Sequence, residues 1–239
     1  MKVVGISDLG LHRKKNEDSY LINQNLGLFV ICDGMGGHRG GDIASQLAIN
    51  TIDTLSREER FTDAQTLLYE AIQKANEIIW QQGHANPEWE GMGTTVTAAL
   101  LENEKLRVAN VGDSSLHIIR NKSLRKITKD HTLAEQMVKE GLLRFEEIRS
   151  SSYNHILTRA LGVDEDVQID IFEEQLESGD YILICSDGLS DMLDENEILD
   201  VFMEAATTGD QLDVIARTLL RQALAKGGYD NVTILIIQC

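Results

Sequence analysis

The 239-residue sequence is short of cysteine, of proline and of positive charge. Its three cysteines, Cys32, Cys185 and Cys239, show neither the close spacing of a zinc site nor the even count of a disulfide framework, and they fit a reducing cytosol. Cys32 and Cys185 lie in apolar runs and read as small core residues. Lys and Arg number 22 against 39 Asp and Glu, for a formal net charge of −17. With no basic stripe to offset phosphate repulsion, a nucleic-acid backbone or an anionic membrane is excluded as the main partner. The amino terminus, MKVVGISDLG, lacks the apolar run of a signal peptide. No window approaches the roughly 18 uninterrupted apolar residues of a membrane span, so a cytoplasmic chain is expected. The single proline, Pro87, and the absence of a repeat or a Pro-, Gly- or Ser-rich linker favour one domain over residues 1–239. Apolar residues make up 42% of the chain and charged residues 26%, ordinary values for a globular protein long enough to bury a substantial core.

What is present is organised around Leu28 to Gly41, LFVICDGMGGHRGG. An apolar run of strand character ends at Asp33, which would bring its carboxylate to a sheet edge. Gly34, Gly36 and Gly37 let the backbone bend sharply, so that its own carbonyl and amide groups can approach a small guest, either metal or phosphate. An isolated Asp-Gly after a strand is ordinarily a turn. Here the pattern repeats. The apolar run Tyr181 to Ser186 also ends in Asp-Gly, at Asp187-Gly188, and GGYDN (Gly227 to Asn231) sets Asp230 beside glycines ahead of a third apolar run. Three carboxylates at strand ends read as one site.

In chain order, Lys2 to Ser7, Tyr20 to Asn23 and Leu28 to Cys32 read as strands, and the apolar stripe Ile43 to Leu55 as a helix. Thr62 and Gln65 form a capping-box pattern for a second helix carrying Leu67 to Ile79, followed by a loop from Gly83 to Gly91. Period-two alternation from Thr94 to Arg120, with turns at Glu102 to Lys105 and at Val111 to Ser114, predicts an antiparallel meander. A short helix is expected over Asp130 to Lys139, an aperiodic segment from Gly141 to Gly162, and strands at Val167 to Phe172 and up to Asp187. Helices at Glu195 to Ala206 and Gln211 to Leu224 precede a final strand, Asn231 to Ile237. Paired helices at both ends with strands between them imply a layered arrangement of antiparallel sheets covered by helices.

Asp18, Asp33, Asp113, Asp187 and Asp230 all fall where a strand meets a loop. Carboxylates and backbone carbonyls without thiolates or paired histidines make a hard oxygen site suited to Mg²⁺ or Mn²⁺. Two such ions about 3.5–4 Å apart would acidify a shared water toward neutrality and supply a hydroxide for in-line attack on phosphorus. Other chemistries fail on spacing. After Cys32 the sixth residue is His38, and the arginine, Arg39, comes one position too late for a cysteine-phosphatase loop. No Gly-Lys-Ser or Gly-Lys-Thr of a Walker loop occurs. GDSSL (Gly112 to Leu116) has no nucleophile elbow and no histidine after His155, which leaves Ser114 a turn residue.

Seven segments taken in order resemble the metal-dependent protein phosphatases of type 2C, in a form similar to bacterial members: RKKNEDS (Arg13 to Ser19), DGMGGH (Asp33 to His38), GTTVTAAL (Gly93 to Leu100), NVGDSS (Asn110 to Ser115), LTRALG (Leu157 to Gly162), CSDGLSD (Cys185 to Asp191) and GGYDNVT (Gly227 to Thr233). The resemblance spans nearly the whole chain. It implies an α+β fold, an αββα sandwich of two packed antiparallel sheets flanked by helix pairs, with a flap at about 141–162. It also implies that Asp33 bridges two Mg²⁺ or Mn²⁺ ions, that the Gly34 carbonyl binds one, and that Asp187 and Asp230 bind the other. Glu17 and Asp18 would hold metal-bound waters, Asp113 would share a third ion with Asp187, and Asn231 would support Asp230. Arg13 would grip the substrate phosphate, a task suited to a planar, permanently charged fork. Hydrolysis of phosphoserine and phosphothreonine in proteins follows from the resemblance, in opposition to a Ser/Thr protein kinase, by a monomeric enzyme without a covalent phosphoenzyme. Met35 stands where many eukaryotic members carry a histidine proposed as the acid for the leaving alcohol, which turns attention to His38 or a bound water. SSSYN in the flap replaces a His-Pro pair common in bacterial relatives. The competing reading is a non-catalytic metal-binding regulatory module on the same fold, and the retention of Asp33, Asp187 and Asp230 counts against it.

Overall fold

The computed structural model describes residues 1–35, 40–58, 63–209 and 211–239. Twelve strands and six α-helices follow one another among these residues. The strands are β1 (Lys2–Asp8), β2 (Ser19–Asn23), β3 (Leu28–Cys32), β4 (Gly34–Met35), β5 (Gly93–Thr94), β6 (Val96–Glu102), β7 (Lys105–Val111), β8 (Ser115–Arg120), β9 (Ser123–Lys126), β10 (Asp170–Gln175), β11 (Tyr181–Cys185) and β12 (Val232–Gln238). The helices are α1 (Gly41–Ser56), α2 (Ala64–Ala85), α3 (Leu133–Lys139), α4 (Asp187–Ser190), α5 (Glu195–Thr208) and α6 (Leu212–Ala225).

Two antiparallel five-stranded sheets, ordered β1-β12-β11-β8-β9 and β10-β7-β6-β3-β2, carry the fold. Strands β3, β11 and β12 are buried along nearly their whole length, because each is covered on both faces. Alternate residues therefore serve two cores. Leu28, Val30 and Cys32 pack with Ile52, Leu68, Ile72 and Ile79 from α1 and α2, while Phe29 and Ile31 face inward against Leu116, Ile184 and Leu235 of the other sheet. On the far side Leu183, Ile234 and Ile236 meet Phe202, Ile215 and Leu219 from α5 and α6. Helix, sheet, sheet and helix thus stack as the αββα sandwich that the resemblance implied.

Several elements depart from the sequence reading. The meander breaks at Val111 to Ser114: β7 pairs with β6 and β10, whereas β8 pairs with β11 and β9, so this turn passes from one sheet to the other. Period-two alternation is the same whichever sheet receives a strand, and it could not distinguish a hairpin from a crossover. Strand β9, which had no expected counterpart, closes on β8 through Asn121 and Lys122, both at positive φ. Helix α2 runs on through Gly83 to Ala85, with a short 3₁₀ turn at Pro87–Trp89. Its N-cap is Asp63, whose side chain accepts the Thr66 N–H, and Thr62 lies outside the described residues. Strand β10 starts at Asp170, three residues later than expected. Asp187 opens the four-residue helix α4, which the apolar run ahead of it did not announce.

Candidate metal centre

Chain ends and crossovers converge at one edge of the sandwich. Asp33 leaves β3 with its backbone fixed: its N–H donates to Thr95 Oγ1 at 3.0 Å, and its carbonyl accepts from Thr94 Oγ1 and the Thr95 N–H, both at 2.8 Å. These are the hydroxyls of the GTT segment, which explains two adjacent threonines at the head of β6. Gly34 follows, and a Cβ there would collide with the Gly41 carbonyl, so only glycine lets α1 begin this close to β3. The crossover between sheets holds Asp113, its loop tied to β6 by Thr95 Oγ1 and Ser114 Oγ at 2.9 Å and by Thr97 Oγ1 donating to the Ser114 carbonyl at 2.8 Å. Ser114 is thereby a buried turn residue and not an exposed nucleophile.

The amino-terminal loop is sewn to the carboxy-terminal GGYDN turn. Asn231 Oδ1 accepts the Glu17 N–H at 2.8 Å, and its Nδ2 donates to the carbonyls of Leu9 and Lys15 at 2.9 and 3.1 Å. Asp18 is buried, and its Oδ2 accepts from Ser186 Oγ at 2.8 Å and Thr233 Oγ1 at 2.6 Å. Arg13 Nη2 donates to Asp230 Oδ2. Arg13 also lies in the field of Asp187 and Asp33.

The carboxylates are close enough to oppose one another's ionisation. Burial first, then the charges of Asp18, Asp187, Asp113 and Asp230, hold the Asp33 carboxyl well above the ordinary range. Asp187 is raised well above its ordinary value by burial and by Asp113, Asp191, Asp230 and Asp18. Burial lifts Asp18 to about 6 against the two hydroxyl bonds that lower it, and burial with the charges of Asp130 and Asp191 lifts Asp113 to about 7. Asp18 Oδ1 and Asp187 Oδ1 are buried with no hydrogen-bond partner. Orphaned acceptor oxygens in a cluster of like charge are what a divalent cation would satisfy. The donors are all oxygen, and Cys32 and Cys185 are buried with thiols pushed up by desolvation, so the set fits Mg²⁺ or Mn²⁺ better than a soft metal.

The fold brings together the expected residues Arg13, Glu17, Asp18, Asp33, Gly34, Asp113, Asp187, Asp230 and Asn231, through shared hydrogen bonds or mutual charge. His38 lies outside the described residues, as do Gly36 and Gly37. Two further side chains join the cluster. Ligand atoms of His155, Asp187 and Asp191 lie within 4.8 Å of one another, and His155 Nδ1 is 3.1 Å from Asp191 Oδ2. Asp191 could have been found: it stands four residues after Asp187, and its N–H donates to the Asp187 carbonyl at 2.8 Å, so one helical turn aligns the two carboxylates. His155 carried no comparable signal, since it arrives from the aperiodic segment.

Comparison with known proteins agrees with this arrangement. Residues 12–225 match the family model described as Protein phosphatase 2C. The serine/threonine phosphatase stp of Listeria welshimeri is 33% identical over 97% of this chain and 93% of its own length. The crystal structure of the serine/threonine phosphatase Stp1 from Staphylococcus aureus superposes with a TM-score of 0.92 at 32% identity, covering 100% of this chain and 94% of that one. The catalytic domain of the serine/threonine protein phosphatase PstP, solved in complex with two manganese ions, is 35% identical with a TM-score of 0.86, over 98% of this chain and 96% of that one. A carboxylate cluster at the edge of an αββα sandwich and a family match over most of its length together establish that this chain belongs to the protein phosphatase 2C family.

Proposed function

We propose that this phosphatase hydrolyses phosphoserine and phosphothreonine in proteins, with Mg²⁺ or Mn²⁺ as cofactor, and opposes a Ser/Thr protein kinase. The observation that carries the reading is the convergence of Asp18, Asp33, Asp187 and Asp230 with buried, unpartnered oxygens among them. In this reading Asp33, the Gly34 carbonyl, Asp187 and Asp230 hold two divalent ions, Glu17 and Asp18 hold their waters, and Asp113 with Asp187 holds a third. Bound there, the ions supply the positive charge that acidifies water for attack on phosphorus and neutralises the phosphate.

The remaining work falls to the chain. Arg13 engages Asp230 through one nitrogen, and a guanidinium has five N–H donors, so others remain for two phosphate oxygens. Asn231 holds both ends of the loop that carries Arg13 and so fixes the height of the guanidinium over the cluster. For the leaving alcohol, His155 joins His38 as a second proton donor to be tested, because its Nδ1 stands 3.1 Å from Asp191 Oδ2 beside Asp187.

Phosphate release from a phosphothreonine peptide should require Mn²⁺ or Mg²⁺ and stop in EDTA. Calorimetric titration of Asp187→Asn with Mn²⁺ should show weakened binding. Unchanged turnover and metal affinity in that variant would remove the proposed site, and metal binding with no phosphate release from any phosphopeptide would favour the regulatory-module reading. His155→Gln should slow single-turnover phosphate release if that imidazole donates the proton.

A further inference from the structure

Beside Arg13 the surface carries an aromatic pair that neither the fold nor the hydrolytic centre requires. His12 and Tyr229 stack with ring centroids 4.9 Å apart and planes 25° from parallel. Tyr229 nevertheless remains 59% exposed, and neighbouring Leu11 is 65% exposed. Each ring belongs to the residue just before a member of the Arg13–Asp230 pair, so the stack stands one residue away from the guanidinium on both sides.

The stack rests on a rigid base. The Leu11 N–H donates to the Gly228 carbonyl at 2.8 Å, and Asn231 Nδ2 binds the Leu9 and Lys15 carbonyls. Gly10, at φ +75°, has no room for a Cβ, which would strike the Asp230 carbonyl, and a Cβ on Gly227 would strike the Tyr229 ring. Two glycine turns interlock, and the tyrosine ring packs against one of them. An exposed aromatic held in this way loses little freedom on contact, which favours its use in binding.

Charge complements the rings. In a chain of net charge −17, residues 12–15 read His-Arg-Lys-Lys and are all exposed. Arg13 is engaged by Asp230, and Lys15 Nζ lies 2.5 Å from Asp42 Oδ1. Lys14 has no ion-pair partner among the described residues, which leaves an exposed cation next to Arg13 and two residues along the chain from His12.

We propose that the His12–Tyr229 stack, with Leu11 and Lys14 beside it, is a docking shelf for the residues that flank the phosphorylated side chain, and that it selects phosphoprotein segments carrying an aromatic and an acidic residue within two positions of the phosphate. The inference rests on the phosphoprotein reading above and specifies its substrate class. An extended peptide advances about 3.3 Å per residue, so a phosphate at Arg13 sets its first and second neighbours against the shelf. An aromatic side chain there meets a ring face, and a carboxylate meets Lys14.

The test is a set of phosphothreonine peptides in which Phe, and separately Glu, is walked from two residues before to two residues after the phosphothreonine in a Gly/Ser background. With Mn²⁺ present, the best Phe peptide should exceed the all-Gly/Ser peptide roughly two- to tenfold in kcat/KM, chiefly through KM, the size expected for one aromatic pair. Within each variant the ratio of the two peptides is the readout, so changes in basal turnover cancel. The Phe ratio should fall to about one in His12→Ala/Tyr229→Ala and persist in Tyr229→Phe. Lys14→Glu should abolish the Glu preference, which in the wild type should be largest at low salt. A wild type indifferent to Phe, or a Phe ratio that survives loss of both rings, would overturn the shelf while leaving the proposed function standing. Failure of the wild type to release phosphate from any peptide would overturn the proposed function and the shelf with it.

Discussion

Replacing Asp113 by Asn should stabilise the metal-free protein, by an amount that grows as pH rises from about 4 to about 7. In the folded state the Asp113 carboxyl titrates at about 7 against an ordinary 3.8, raised by burial and by the charges of Asp130 and Asp191. The folded state therefore binds this proton more tightly than the unfolded chain, and stability falls as pH rises between those two values. At about 1.4 kcal/mol per tenfold change in proton affinity, the full rise amounts to about 4 kcal/mol. Asp113 keeps some exposure at the cleft, and solvent screening brings the expected effect to about 2–4 kcal/mol. Asn keeps the shape and removes the charge, which also relieves Asp33 and Asp187, both of which feel Asp113. Urea unfolding in EDTA, followed by the fluorescence of Trp80 and Trp89, should show the variant ahead by only about 1 kcal/mol at pH 4.5 and by the full difference at pH 7.5. Mn²⁺ at 100 times its Kd should return about 2.7 kcal/mol to the wild type. Superimposable pH profiles, or a variant less stable than wild type at pH 7.5, would refute the view that mutual carboxylate repulsion strains this edge of the fold.

Other expectations follow from the same geometry. Arg13→Lys should lower kcat/KM for phosphopeptides by roughly ten- to a hundredfold, the equivalent of one charge-assisted hydrogen bond, because an ammonium cannot present a planar fork; steady-state kinetics at saturating Mn²⁺ would show it, and an unchanged KM and kcat would remove Arg13 from phosphate binding. Gly34→Ala should leave little folded protein, since its Cβ would collide with the backbone of Gly41, and circular dichroism melting would detect a loss of several kcal/mol. Phe29→Ala, between the two sheets, should cost about 3–5 kcal/mol in urea unfolding, and a smaller loss would show that the interface between sheets can collapse around the gap.

The parts of the site legible in the sequence were those set by local chemistry. An apolar strand, an aspartate and a glycine in succession need no distant partner to show that a carboxylate ends a strand, and Asp33 and Asp187 announced themselves in this way, while Asp230 did so beside two glycines just ahead of a strand. Paired helices at both ends of the chain pointed to covered sheets for the same reason, since a one-sided apolar stripe must face something. Asp191 was less legible because α4 has four residues, too few to display a period, and His155 because its segment has none.

The sequence by itself therefore determined that carboxylates would stand at strand ends and that sheets and helices would layer, since strand alternation, helical stripes and glycine freedom are properties of neighbouring residues. Only the tertiary structure decided that the turn at Val111 to Ser114 crosses between sheets and so delivers Asp113 to the cluster. Tertiary contacts alone also close Asp18 onto Ser186 and Thr233, stack His12 on Tyr229, and draw His155 to Asp191. These contacts join residues tens to hundreds of positions apart, and which of them form depends on how two sheets of identical periodicity pack, a choice that no local pattern encodes.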